Sequence, residues 1–454
     1  MDHDLQLINA PLDVSYLRGS RTGNYPPPGI AALASYLLAH SPRLDIELLD
    51  GEIYELSDIC TRLSAKVVGI SCNIMTYSSA LVLARLAADA GARVILGGPY
   101  PSSRAAAILR SQSYIDAVVV GDGEVALHEY VSGRPYRDIP NLCYRGPLGV
   151  VANPEITIDL ESLPPADYRG LPLEKYFHNF ERRYADFKPF KKSLPVYSRK
   201  GCVWRDASRG GCIFCMIPHR GVRYKSPERY WMEIGLLEEK YGVHHFWEVC
   251  DTFTENSHWI DELVLARPAA CQAQFNVYGR AGNISRHMAR QLRRLGVYEV
   301  FIGAESGDDA LLNAANKGTT TDQVRRAVDL LAEQDIQVVL SFVLGLPGES
   351  SETLQKTVDF AQELYSRGNI VETSTSILLP IPGSTAFERL MTLPGMATKH
   401  GGDPLDLEEL KTDWIKLFTN TSSGELQQTL TDTWRMFPLN NTFWQRDAAS
   451  APCC

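Results

Sequence analysis

Short apolar runs alternate with longer amphipathic stretches through the first 130 residues. Leu5–Asn9, Ile46–Asp50, Val67–Cys72, Arg93–Gly97 and Ala117–Gly121 have strand length, whereas Gly29–His40 and Tyr77–Ala90 have helix length. Runs such as Val67-Val68-Gly69-Ile70 lack polar alternation, which marks strands buried on both faces of a parallel sheet. Residues 1–140 therefore predict a doubly wound, Rossmann-like α/β domain of about five strands. Such sheets bind ligands beyond the carboxyl ends of their strands. Those ends here carry Asn9-Ala10-Pro11, Ser71-Cys72-Asn73, Gly97-Gly98-Pro99-Tyr100 and Gly121-Asp122-Gly123-Glu124.

The period loosens over residues 141–194, where Pro164-Pro165, Tyr168 and Tyr176-Phe177 read as a linker packing on both neighbours. From 195 to 393 the alternation returns, with strands expected at 195–198, 245–249, 274–278, 299–302, 337–344 and 373–378. Six β/α units are too few for a closed eight-stranded barrel and suit a partial one. Residues 394–454 read as a small, mainly helical cap with an aromatic tail.

Composition narrows the class. With 44% hydrophobic and 22% charged residues the chain is ordinary globular protein. No apolar run approaches the roughly 20 residues of a membrane span, and the start Met1-Asp2-His3-Asp4 lacks a basic, apolar export signal, so a cytoplasmic protein is expected. A formal charge of −9 leaves no electrostatic footprint for nucleic acid. In a reducing compartment the 10 cysteines are thiols, ligands or packing residues rather than a disulfide framework. Cys60, Cys72, Cys143, Cys250 and Cys271 adjoin apolar stretches and read as packing.

Cys202, Cys212 and Cys215 lie in one loop after the first strand of the partial barrel, a soft ligand set suited to iron–sulfur or zinc. Structural zinc takes four closed ligands, and His219 is the one nearby candidate for a fourth. Three unrelated buried cysteines would also give this sequence. The tail pair Cys453-Cys454 reads either as a frayed terminus or as a ligand pair for a soft metal or metalloid.

The segment Ser198 to Cys215, with Phe214 before its last cysteine, resembles the cluster loop of the radical S-adenosylmethionine (SAM) superfamily. Phe246 to Thr254, Gly303 to Gly307, Phe342 to Glu349 and Leu379 to Ser384 resemble that superfamily's second, fourth, fifth and sixth strand segments. Tyr25 to Gly29, Gly97 to Tyr100 and Val120 to Glu124 are similar to the cobalamin-binding domain that precedes the barrel in one large subgroup. Two departures stand out. Nine residues separate Cys202 from Cys212 where the common spacing is three, and no Asp-x-His-x-x-Gly supplies a histidine to cobalt. Tyr100 stands where many relatives carry histidine.

The resemblance implies a 4Fe-4S cluster on Cys202, Cys212 and Cys215, with SAM on the open iron near Phe214, Arg280, Glu305, Ser341 and Gly345. It places cobalamin against Ser71, Asn73, Gly98, Tyr100, Gly121 and Glu124, and an electron donor such as flavodoxin or ferredoxin outside. Reductive cleavage of SAM and methyl transfer to a small-molecule substrate are the implied chemistry, in secondary metabolism or cofactor biosynthesis. Transfer of the 3-amino-3-carboxypropyl group to sulfur or trivalent arsenic, substrate rearrangement, and a non-catalytic corrinoid or metal binding module are the alternatives.

Overall fold

The structure, a computed structural model, describes residues 2–12, 23–206, 208–217 and 221–436. It divides into two compact units. The first comprises Met1–Pro195 together with Pro394–Leu405; the second comprises Val196–Leu393 and the chain from Asp406 onward.

Strands β1 (His3–Asn9), β2 (Ile46–Asp50), β3 (Ala65–Ser71), β4 (Arg93–Gly97), β5 (Ala117–Val119), β6 (Leu142–Gly146) and β7 (Gly149–Ala152) form the sheet of the first unit in the order β2-β1-β3-β4-β5-β6-β7. The first five are parallel, as their two-faced apolar patterns require. Val68, Ile70, Val94 and Leu96 are buried beneath the helix Tyr77–Asp89, whose Ala80, Leu83, Ala84 and Ala87 recur at helical spacing. Register aligns Asn9 with Ser71 and Ser71 with Gly97, so the loops after β1, β3 and β4 leave the sheet side by side.

The expected linker is part of this unit instead. β6 and β7 add an antiparallel hairpin to its sheet edge, and the helix Leu173–Tyr184 buries Tyr176, Phe177, Phe180 and Tyr184. Tyr176 donates to Asp50 at 2.6 Å. Those four aromatics fall at helical spacing, a short amphipathic signal set inside a proline-bearing stretch that as a whole has no single period.

After β8 (Leu194–Val196), whose last residue begins the second unit, come the two-residue strands β9 (Arg199–Lys200) and β10 (Arg223–Tyr224), then β11 (His245–Glu248), β12 (Gln274–Gly279), β13 (Val297–Glu305), β14 (Gln337–Leu344) and β15 (Ile370–Ile377). The six-stranded sheet runs β15-β14-β13-β12-β11-β8, with parallel pairing from β11 to β15. This is the expected partial barrel.

The expected cap is divided. Residues 394–405 belong to the first unit, where Leu405 packs against the sheet core. The helices Leu407–Phe418 and Ser423–Arg435 belong to the second, where the buried Trp414 indole donates to the Gly345 carbonyl at 2.9 Å. Cys72, Cys143 and Cys250 are buried and Cys60 and Cys271 half-buried, all as free thiols. Cys453, Cys454 and His219 lie outside the described residues.

Candidate active site

The cluster loop is held by the barrel strands around it. Ser198 donates through its backbone and hydroxyl to Glu248 at 2.7 and 3.0 Å, Gly201 N–H donates to Asp251 at 2.6 Å, and Val203 N–H to Glu255 at 2.9 Å. Three acids leaving β11 thus fasten three successive points of the loop. On the far side Ile213 N–H reaches the Ala315 carbonyl at 3.0 Å, and Ala386 N–H reaches the Ile213 carbonyl at 2.8 Å.

The described residues between Cys202 and Cys212 are held by the same surroundings. Trp204 donates to the Asn316 carbonyl at 2.7 Å, and the Asn316 amide donates back to the Arg209 and Gly211 carbonyls at 2.7 Å each. Gly318, at φ +61°, makes this possible: a Cβ there would stand 2.1 Å from the Trp204 ring.

The three expected ligands share one neighbourhood. Cys215 N–H turns onto the Cys212 carbonyl at 3.1 Å, Arg280 reaches the Cys212 sulfur at 3.8 Å, and the Cys202 thiol donates to Glu255 at 3.0 Å. Burial, then Glu255, pushes the Cys202 thiol up to about 12. Burial, then the nearby Cys212, pushes Cys215 up to about 12. Thiols so protected ionise when a metal replaces their protons. Among the described residues no three His, Cys, Asp or Glu side chains gather closely enough for a single ion, whereas a cluster spreads its irons among wider-set sulfurs.

Glu305 ends β13 at a register shift, with φ +61°. One carboxylate oxygen pairs with Lys317 at 2.6 Å; the other is buried without a hydrogen-bond partner. Gly303 supplies the room, because a Cβ there would stand 2.2 Å from that carboxylate and 2.6 Å from the ammonium. Burial works against the Lys317 ammonium, yet Glu305 and then Cys212 together hold its pKa above the ordinary lysine value. Ser341, half-buried in β14, is in register with Gly303. Gly345, at φ +83°, donates to the buried Glu349 at 3.0 Å, and Phe214 is half-buried in the cluster loop.

Arg280, directly after β12, has several partners. Besides Cys212 its guanidinium donates to the Lys317 carbonyl and lies 4.7 Å over the Trp204 ring. It belongs to the sulfur side of the site.

In the first unit Gly98, at φ +98°, packs where a Cβ would stand 2.6 Å from the Cys72 carbonyl and 3.2 Å from the Ser71 hydroxyl. Gly121, at φ +78°, donates to Ser102 at 3.2 Å. These neighbours adjoin one another. Asn73 is spent on the turn, accepting from Met75 and Thr76 N–H at 2.8 and 3.2 Å, and Glu124 is buried in the first turn of the helix Glu124–Val131.

Tyr100 is packed into the interior of the unit. It is 3% exposed, tilted on Tyr77 with centroids 4.5 Å apart, and its hydroxyl donates to Asp403 at 3.3 Å, beside a 2.7 Å bond from Tyr77. Burial, then Asp403, raises both phenols. Its hydroxyl is thereby taken from any ligand. Ile74 and Met75 in the loop after β3 are half-buried, Ile74 packing against the sheet core.

Comparison with known proteins now decides the family: residues 200–361 match the Radical SAM superfamily and residues 14–131 the B12 binding domain. The chain is a radical SAM enzyme with a B12-binding domain. An uncharacterized methyltransferase, PH0819 of Pyrococcus horikoshii, is 27% identical over 380 residues, 80% of this chain and 78% of its own. The anaerobic magnesium-protoporphyrin IX monomethyl ester cyclase of Rubrivivax gelatinosus is 26% identical over 454 residues, 93% of this chain and 75% of its own. Among solved structures, the cobalamin-dependent radical SAM enzyme OxsB with aqua-cobalamin and SAM bound superposes with TM-score 0.71 at 15% identity over 94% of this radical SAM chain. The methyltransferase TsrM of Kitasatospora setae, with cobalamin and a [4Fe-4S] cluster bound, gives 0.64 at 18% identity over 87% of this chain and 77% of its own. The matched portions span 52% and 66% of two OxsB chains. The two domains make a 4Fe-4S cluster, SAM and cobalamin the cofactors of this radical SAM enzyme, and its chemistry needs a reductant. Among the described residues no helix is long and apolar enough to cross a membrane.

Sequence reasoning found the thiols but missed Glu255, Lys317, Asp403 and Trp414. Each acts through a tertiary contact, and no local pattern marks it.

Proposed function

We propose that this radical SAM enzyme is a cobalamin-dependent methyltransferase acting on a small-molecule substrate. The observation that carries the reading is a half-committed Glu305 carboxylate paired with Lys317, which feels the Cys212 thiol, in a chain that also carries a B12-binding domain. When bound, the cluster and SAM supply radical initiation and cobalamin supplies a methyl carrier.

In this reading Cys202, Cys212 and Cys215 hold the cluster, and Arg280 steadies the Cys212 sulfur. The open Glu305 oxygen accepts from the methionyl ammonium or the ribose, and Ser341 serves a ribose hydroxyl. Backbone at Phe214 and Gly345 flanks the adenine. Ser71, Gly98 and Gly121 line the cobalamin cradle, which Asn73, Tyr100 and Glu124 shape from behind. A flavodoxin or ferredoxin supplies the electron.

A second reading, ring closure or rearrangement without methyl transfer, is favoured by the cyclase relative, whose match spans 93% of this chain. Nucleoside products separate the two. Reconstituted enzyme is incubated with methyl-labelled SAM, a low-potential reductant and candidate substrates. S-adenosylhomocysteine together with 5′-deoxyadenosine, and label in the product, is the expected outcome. 5′-Deoxyadenosine alone would replace methyl transfer by rearrangement, and 5′-methylthioadenosine would replace it by 3-amino-3-carboxypropyl transfer.

A further inference from the structure

A cavity of about 180 Å³ lies on the flank of the cluster loop, and the insertion between Cys202 and Cys212 forms one of its walls. Trp204 and Arg209 stand on that wall, Arg280 and Asn283 on the segment after β12, and Thr319 on the segment before the helix Thr321–Ala332. The wall is braced by the Trp204 and Asn316 hydrogen bonds to and from the loop at 2.7 Å.

Its chemistry is unbalanced toward donors. Arg280 and Arg209 lie 4.7 and 5.6 Å over the same Trp204 ring. Thr319 is 6% exposed and its hydroxyl has no hydrogen-bond partner, a buried deficit that costs about 1–3 kcal/mol when left unmade. The lining carboxylate, Glu255, is already bound by Arg199 at 2.5 Å and by the Val203 N–H at 2.9 Å. The space equals roughly six waters at about 30 Å³ each, room for a group of a few heavy atoms.

We propose that this cavity binds a small oxyanion, a carboxylate or phosphate, held by Arg209, Arg280 and Thr319, with Trp204 positioning the two guanidinium groups. The site goes beyond the SAM and cobalamin assignments, since none of the residues given to SAM besides Arg280 lines it. The oxyanion is a free ion or the end of a larger molecule. A threonine that merely filled space would be replaced by valine without effect on binding; one that completes an oxyanion site would not.

Calorimetric titration of the cluster-loaded enzyme with inorganic phosphate tests this. Saturable binding is expected, weakened about threefold or more by Thr319→Val and about tenfold by Arg209→Ala, with unchanged iron content, and untouched by Arg293→Ala on the exposed face of the next helix. Methyl phosphate binding as well as phosphate would assign the site to the end of a larger molecule, whereas binding of phosphate alone would assign it to the free ion; both support the proposal. Absence of binding, equal affinity in Thr319→Val and Arg209→Ala, or displacement of phosphate by saturating SAM would overturn it.

Discussion

Glu305 and Lys317 illustrate how one buried pair serves two ends. At 2.6 Å and almost fully buried, the ammonium neutralises one carboxylate oxygen and leaves the other buried without a hydrogen-bond partner. Removing one member of such a pair strands a charge in a poorly solvated place. Lys317→Met is expected to destabilise the protein by about 3–5 kcal/mol in denaturant titration, and adding Glu305→Gln should restore much of that loss. If the double variant is no more stable than the single one, the charge is not what the lysine holds. At Asp403 the argument concerns neutral donors. Tyr77→Phe removes a 2.7 Å bond to a carboxylate and is expected to cost about 1.5–3 kcal/mol, more than Tyr100→Phe, whose bond is 3.3 Å. Because the Tyr100 hydroxyl is turned to Asp403, Tyr100→Phe should also leave the visible spectrum of bound cobalamin unchanged.

Among the elements, the cluster loop shows why a lengthened cysteine spacing remains compatible with its chemistry. Asp251 and Glu255 fix Gly201 and Val203 at the start of the lengthened stretch, and Asn316 and Gly318 receive Trp204, Arg209 and Gly211 within it. Supports of this kind typically change metal affinity 10–100-fold when lost. Asp251→Ala is therefore expected to lower iron retention about tenfold under chelator challenge. Gly318→Ala, which drives a methyl into the Trp204 ring, should chiefly shift tryptophan emission to the red and leave most of the iron in place. Equal iron loss in the two variants would mean that the insertion, rather than its anchors, holds the ligands. The five parallel strands β1 to β5 and the β/α alternation of the second unit were legible because a strand-length apolar run without polar alternation needs cover on both faces, which a parallel sheet between helices provides. The hairpin β6–β7 was not, since its strands are only five and four residues long, and the helix Leu173–Tyr184, whose Tyr176, Phe177, Phe180 and Tyr184 do fall at helical spacing, was passed over within a proline-bearing stretch. The thiols were legible from spacing and their supports were not: Glu255 and Lys317 lie 53 and 12 residues from the groups they bind.

At the scale of the whole molecule, the chain returns late to finish what it began early. Residues 394–405 complete the first unit through Asp403 and Leu405, and the following helices complete the second through Trp414, whose indole holds the Gly345 carbonyl. Neither unit is a continuous stretch of sequence, so damage near the carboxyl end is expected to separate by cofactor rather than by distance along the chain. Asp403→Ala leaves two buried phenols without their acceptor and should lower cobalt retained after gel filtration while iron stays near that of the parent. Trp414→Ala opens a cavity worth about 3–5 kcal/mol against the Gly345 turn. It should raise the dissociation constant for SAM and leave cobalt unchanged. The two substitutions are 11 residues apart in sequence yet are expected to act on different cofactors. If Asp403→Ala and Trp414→Ala instead lowered cobalt, iron and SAM binding in parallel, the carboxyl-terminal segment would be one cooperative cap, and its division between the two units would be without functional consequence.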